Sequence, residues 1–184
     1  MLNFYLAASE FFESPKKAMP FLQAFGETSA EADCRLEYDY LLRGCDADFD
    51  APLWASVCKE DRVLNNATTL EVIRFCHKWG YEPRRVDFNP RDYIGEQFRF
   101  LAYLRTLAET CPEALKAEEE FLHRYTLGNL RALRDAVKKR GTFASIEAIL
   151  DTMLLAAAGF GADAMVAIYT TTSPRQAQSI AYSL

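Results

Sequence analysis

Hydrophobic positions recur at helical spacing along the chain, in segments punctuated by Gly, Pro and capping residues. Leu2, Tyr5, Leu6, Ser9 and Phe12 share one helical face over residues 2–13. Ser14-Pro15 interrupts that run and starts a second helix, with Met19, Leu22 and Phe25 on one face and Gly26 at its end. Residues 29–43 predict a longer helix. Leu36 and Tyr40 form its stripe with Leu41 or Arg43, Cys34, Tyr38 and Leu42 lie beside it, and Gly44 stops it. Positions 45–62, CDADFDAPLWASVCKEDR, have no clean period and predict an ordered loop. A loop of that length inside a compact domain points to function.

The spacing Thr68-x-x-Glu71 matches a capping box and predicts a helix that Gly80 ends. Leu70, Ile73 and His77, with Val72, Phe75, Cys76 and Trp79, cover most of its surface. A connector over 81–88 leads to NPRDYIGEQFRFLAYL at 89–104. There Asn89 reads as N-cap, Pro90 as the first helical residue, and Asp92 as a first-turn carboxylate. Positions 98–108 are apolar nearly all round, as in an enclosed central helix, and Glu96 can pair with Arg99 three residues on. Thr110-Cys111-Pro112-Glu113 repeats the capping logic before a helix to about Tyr125. Gly128-Asn129 offsets the next helix, over 129–140, and Gly141 stops it. Thr142 or Ser145 begins a last helix that ends near Gly159. Val166, Ile168, Tyr169 and the threonines after them have strand propensity but no partner strand, so the tail over 160–184 stays unassigned. The expectation is an all-α, single-domain bundle of about eight helices over residues 1–184.

Composition narrows the function classes. Half of the 184 residues are hydrophobic, which suffices for a core without disulfide or metal staples. A net charge of −5 argues against a general nucleic-acid binder, and the cations of Arg131–Arg140 suit a helix C-terminus. In MLNFYLAASEFFESPKK the cations follow the apolar run and Glu10 and Glu13 lie inside it, unlike a secretory signal. No stretch of about 20 apolar residues is present to span a bilayer, so a cytoplasmic protein is expected. The five cysteines, at 34, 45, 58, 76 and 111, form neither a disulfide framework nor a zinc knuckle. No metal or cofactor is expected.

Catalytic patterns are scarce. Gly159-Phe160-Gly161 lacks a third glycine and a preceding strand, no nucleophile elbow occurs, and Glu118-Glu119-Glu120 reads as a solvated helix face. Arg84-Arg85 sits mid-chain and is no export signal of this protein. Aromatics are the richer signal. Phe11, Phe12, Tyr38, Tyr40, Trp54, Phe75, Trp79, Phe98, Phe100 and Tyr103 exceed what the helix stripes need, and wide apolar faces leave grooves that receive peptides.

Several stretches, in order, resemble the TorD/DmsD/NarJ family of redox-enzyme maturation chaperones. RLEYDYLLRG (35–44) looks like the family's Glu-Tyr…Leu-Phe-x-Gly helix end. APLWASV (51–57) is similar to its Pro-x-Tyr-Glu-Ser-Val loop. TLEVIRFCHKWGYEP (69–83) resembles the helix ending in an aromatic-x-x-Phe-Gly-Leu. NPRDYIGEQFRFLAYL resembles the signature Pro-x-Asp-His-Ile-Gly-x-Glu-Leu-x-Phe-Leu-x-x-Leu, and FLHRYTLGNL (121–130) is a weaker match to Phe-Leu-x-x-His-Leu-x-x-Trp. The chain departs from these patterns at Trp54-Ala55 for Tyr-Glu, at Tyr93 and Tyr125 for the two histidines, and at Asn129 for the tryptophan.

The resemblance implies a cytoplasmic chaperone of anaerobic respiration with no chemistry of its own. It would bind the signal or leader peptide and apo-form of a molybdopterin oxidoreductase of the DMSO/TMAO reductase type, and assist cofactor insertion and twin-arginine export. Expected partners exclude nucleic acid and membrane insertion, and both a monomer and a domain-swapped homodimer fit. The implied peptide-binding residues are Pro90, Asp92, Tyr93, Glu96, Trp54, Ser56, Tyr38, Trp79, Phe98 and Tyr125. Aromatics would take the apolar part of the leader, and Asp46, Asp48, Asp50 and Asp92 its guanidinium groups. Two other readings stand beside this one. A helical scaffold or regulator would bind a folded partner and no isolated leader. A small nucleotide-hydrolysing enzyme would show turnover lost on Asp92→Asn.

Overall fold

The computed structural model describes residues 1–25, 35–36, 38–39, 53–58, 64–84, 90–140, 144–159, 166–167 and 169–170. Among them the chain is all-helical. The helices are α1 (Leu2–Glu13), α2 (Pro15–Phe25), α3 (Ala67–Lys78), α4 (Ile94–Leu107), α5 (Glu113–Phe121), α6 (Leu127–Arg140) and α7 (Ala144–Ala157), with a π-helical turn at Leu122–Thr126 joining α5 to α6. Of the helix expected over 29–43, Arg35, Leu36, Tyr38 and Asp39 are described and all are helical; the rest lies outside the described residues.

Two helices form the centre. In α1 every residue from Phe4 to Phe12 is buried, and in α4 burial extends from Ile94 to Phe98 and on to Leu104. The enclosed helix expected at 98–108 is thus matched by a second one at the N-terminus, where Ala7 and Ala8 permit close approach. Phe98 joins the two, its ring 6.0 Å from Phe4 and stacked on Phe12 at 6.1 Å. Phe100 faces the other way, into a cluster with Phe75, Tyr81, Tyr103 and Phe121. Such offset and edge-on pairs add to the area they bury.

Gly95 sits at a close approach of α4 to α1. A Cβ there would lie 3.0 Å from both Phe12 Cβ and Tyr93 Cε1. Phe12 Cβ is fixed by the α1 backbone and cannot yield. Gly95→Ala is therefore expected to destabilise by about 1–3 kcal/mol, the usual cost of overpacking, read as a lowered midpoint in urea unfolding.

Several helix ends differ from the sequence expectations. Asn66, rather than Thr68, caps α3: its side chain accepts from the Thr68 N–H at 2.8 Å. Both threonines are instead buried, while Leu70 and His77 face solvent. The break expected at Gly128 is absent, since α5, the π turn and α6 run on continuously. The wide turn absorbs one residue, so that Phe121, Leu122 and Tyr125 on one side and Thr126, Asn129 and Leu130 on the other all face inward. Glu118 is buried rather than solvated; it accepts from Tyr5 Oη at 2.7 Å and Arg105 Nη2 at 2.6 Å. In the tail, Val166, Ala167, Tyr169 and Thr170 are helical despite their strand propensity. Tyr169 is buried, and the Thr170 hydroxyl bonds back to the carbonyls of Val166 and Ala167. Gly80 and Gly159 end α3 and α7 at positive φ, as their sequence positions predict.

Candidate functional site

Two short segments meet at the start of α4: Leu53–Cys58 from the long loop and Pro90–Tyr93 before the helix. Here the structure departs from the cap expected at 89–92. The turn over Pro90–Tyr93 closes by the Tyr93 N–H to the Pro90 carbonyl, and α4 begins only at Ile94 with Tyr93 as an extended N-cap. Asp92 therefore precedes the helix, and Asn89 lies outside the described residues.

The carboxylate points across to the other segment. Asp92 Oδ2 accepts from the Ser56 N–H at 2.7 Å. On either side, the Ala55 N–H donates to the Asp92 carbonyl (3.2 Å) and the Ile94 N–H to the Leu53 carbonyl (2.8 Å). These bonds form an antiparallel bridge centred on Trp54 and Tyr93, whose rings lie 6.0 Å apart. Leu53, Ala55, Ser56 and Asp92 are buried, whereas Trp54 and Tyr93 stay half-buried at the surface. Asp92 Oδ1 and Ser56 Oγ are also buried and have no hydrogen-bond partner among the described residues.

The aromatic pair is anchored from three directions. The Tyr93 hydroxyl donates to the Phe12 carbonyl at 2.7 Å, satisfying a backbone acceptor in the last turn of α1. Asn66 Nδ2 donates to the Ser56 carbonyl at 3.1 Å, which ties the loop to the α3 cap. Behind both segments Gln97 Nε2 donates to the Asp92 carbonyl (2.8 Å) and to Asn129 Oδ1 (2.9 Å), and Asn129 Nδ2 donates to Cys58 Sγ (3.1 Å).

Of the residues singled out in the sequence, Pro90, Asp92, Tyr93, Trp54 and Ser56 come together here. Glu96 is one turn away and turned toward the 81–84 connector. It is buried and accepts from Tyr81 Oη (2.5 Å), the Arg84 N–H (2.9 Å) and Arg99 Nη1 (3.0 Å), so the Glu96–Arg99 pair forms as its spacing predicts. Arg99 continues to Glu13 on α1, and Glu13 to Lys17 on α2. Burial, and then the Glu96 charge beside it, holds the Tyr81 phenol protonated far above its ordinary range. Phe98 and Tyr38 are core residues, Tyr38 packing on Phe11 at 6.0 Å. Trp79 closes α3 beside Tyr103, whose hydroxyl donates to the Trp79 carbonyl at 2.9 Å. Tyr125 is buried against Phe75 and Phe121, with Arg124 over its ring at 5.2 Å. Asp46, Asp48 and Asp50 lie outside the described residues.

Gln97, Asn129 and Asn66 are the site residues that the sequence does not single out. Amides at interior helical positions carry no periodic signal, and only the place of Asn129 in the motif marked it as unusual. Cys58 reads in the sequence as a small hydrophobe, yet its sulfur accepts from Asn129. Burial, and to a lesser degree the Asp92 charge, push its thiol up from 9.0 to about 11, against the Asn129 hydrogen bond. The folded state thus keeps a proton that the unfolded chain releases. The stability this thiol contributes is complete below about pH 9 and is lost as pH rises toward about 11. Cys58→Ala, which cannot titrate, is expected to flatten the fall of melting temperature with pH in that window relative to wild type.

A family model described as the nitrate reductase delta subunit matches residues 11–128, which run from the last turn of α1 through α2, the 53–58 segment, α3, α4, α5 and the π turn. The chain belongs to that family. It is a family of redox-enzyme maturation chaperones, in accord with the motif resemblance and the all-helical fold. No curated protein and no solved structure matches the chain. Trp54, Tyr93 and Asn129, three of the positions that depart from the motif pattern, lie at the site just described, Trp54 and Tyr93 at its surface and Asn129 buried behind it. No helix among the described residues is long and apolar enough to cross a membrane.

Proposed function

We propose that the protein is a cytoplasmic, non-catalytic chaperone that binds the leader peptide of a molybdenum-cofactor oxidoreductase. It holds the apoenzyme through cofactor insertion, ahead of twin-arginine export where the client is exported. The observation that carries this reading is the family match over residues 11–128. The Trp54–Tyr93 pair supplies the surface. Two half-buried rings stand side by side on a bridged, hydrogen-bonded support, so an apolar leader segment would meet a preorganised aromatic face. The bonds from the Ser56, Ala55 and Ile94 N–H groups beneath the rings hold that support together.

In this reading Asp92 and Glu96 serve the leader site indirectly, because their carboxylates are already engaged with Ser56 and with Tyr81, Arg84 and Arg99. Tyr93 is the residue that touches the peptide. Tyr93→Phe keeps the ring and removes the hydroxyl with its bond to Phe12, so it is expected to lose about 0.5–1.5 kcal/mol of stability and little affinity. Tyr93→Ala is expected to weaken leader binding about tenfold or more, well beyond what its stability loss explains. Isothermal titration with synthetic twin-arginine leaders, paired with thermal melts, checks both. Equal thermal losses with unchanged affinity would remove Tyr93 from the site.

A further inference from the structure

We infer that Gln97 and Asn129 are positioning residues for the leader site, acting as a buried amide relay that holds the 53–58 segment, and with it Trp54, against Tyr93. The inference rests on the leader-binding reading and adds to it a specific device. The relay has a direction. One Gln97 N–H donates to the Asp92 carbonyl and the other to the Asn129 carbonyl oxygen, and the Asn129 amide then donates to the Cys58 sulfur. Gln97 and Asn129 are fully enclosed, at 1% and 0% exposure. They belong to different helices, α4 and α6, and the relay ends on the loop.

Geometry gives the relay its purpose. The 53–58 segment is held at its front by the bridge to Asp92–Ile94 and at Ser56 by Asn66. Asn129 holds its far end, at Cys58. Asn129 lies just after the π turn, and both it and Thr126, the last residue of that turn, are buried. Both Gln97 N–H donors are matched within this relay, as burial of an amide demands, while Gln97 Oε1 is buried with no partner among the described residues. A site formed by two half-buried rings from separate segments depends on how those segments are fixed, because small displacements of a preorganised surface lower affinity sharply.

The test uses the full-length protein. Asn129→Leu keeps the branched shape of the side chain and removes its bonds to Gln97 and Cys58, leaving the Gln97–Asp92 bond in place. Two readouts are taken: site-resolved alkylation of Cys58 with iodoacetamide, with Cys111 as internal reference, and titration with synthetic twin-arginine leaders. Cys58 alkylation is expected to rise on the order of tenfold relative to Cys111 as the segment opens, and leader affinity to fall about tenfold. Should Asn129→Leu fail to fold, Cys58→Ala breaks the last link alone; it is expected to lose affinity severalfold, and Cys58→Ser, which restores an acceptor, to regain most of it. A folded Asn129→Leu with unchanged Cys58 reactivity overturns the relay. Raised reactivity with unchanged leader affinity overturns its positioning role. If wild type binds no leader at all, the leader-binding reading falls and the positioning role with it; the Cys58 readout then still shows whether the amides clamp the loop.

Discussion

Asp92→Ala is expected to melt well below wild type and to bind leader peptide about tenfold more weakly. The reason lies in a single acceptor. Asp92 is fully buried, and its Oδ2 takes the Ser56 N–H at 2.7 Å. Without it a buried backbone donor loses its partner, at a cost of about 1–3 kcal/mol. The lost side chain also weakens the bridge that holds Trp54 beside Tyr93. Asp92→Asn separates the contributions: its carbonyl oxygen can still accept from Ser56, so the bridge survives and only the charge is lost. The expected order of stability and of affinity is wild type, then Asn, then Ala. An Asp92→Ala protein with wild-type melting would mean that the Asp92 carboxylate is not needed to hold the two segments together.

The second large effect lies away from the site. Glu118 is buried, and its Oε1 accepts both from Tyr5 on α1 and from Arg105 on α4. One carboxylate thus ties α5 to both central helices. Burial, and then the hydrogen bond to Glu118 and its charge, keep the Tyr5 phenol protonated far above its ordinary range. Glu118→Ala strands an arginine against a buried hydroxyl. Breaking such a pair costs about 3–5 kcal/mol when fully enclosed. Arg105 keeps 35% of its side chain in contact with solvent, so the lower end applies, about 3 kcal/mol. Glu118→Gln retains an acceptor and is expected to lose roughly half as much. Chemical denaturation measures both, and leader affinity of the folded protein should not move in either.

Glu118 also shows where sequence reading stops. Within Glu118-Glu119-Glu120 all three residues look alike, and only the packing of α1 and α4 selects one for burial. The period of 3.6 was enough to give the all-α architecture, the enclosed character of α4, the Ser14-Pro15 break and the stops at Gly80 and Gly159. It gave less at helix starts. Asn66 competes with Thr68 as a cap and wins because its side chain also bonds Ser56, a long-range contact that local spacing does not contain. Gly128 looks like a break, yet the π turn absorbs the irregularity and Gly128 lies within α6, open to solvent.

At the site, motif order drew attention to Trp54, Ser56, Pro90, Asp92 and Tyr93 together, although no period links residues 54 and 93. The role of Asp92 was still not legible. The stretch Asn-Pro-x-Asp has the grammar of a helix cap, and the carboxylate serves another segment, 36 residues away in sequence, instead of its own helix. Gln97 and Asn129 were silent for the same reason, since their meaning is a contact between two helices.

In the proposed function this chaperone recognises a leader peptide through the Trp54–Tyr93 face. The measurement that reaches it most directly is calorimetric titration of the wild-type protein with synthetic leaders, each carrying a twin-arginine motif and an apolar stretch, alongside Tyr93→Ala. Saturable binding to wild type, weakened about tenfold or more by Tyr93→Ala beyond its loss of stability, is the predicted result. Absence of binding to every leader, with affinity for a folded oxidoreductase subunit instead, would contradict it.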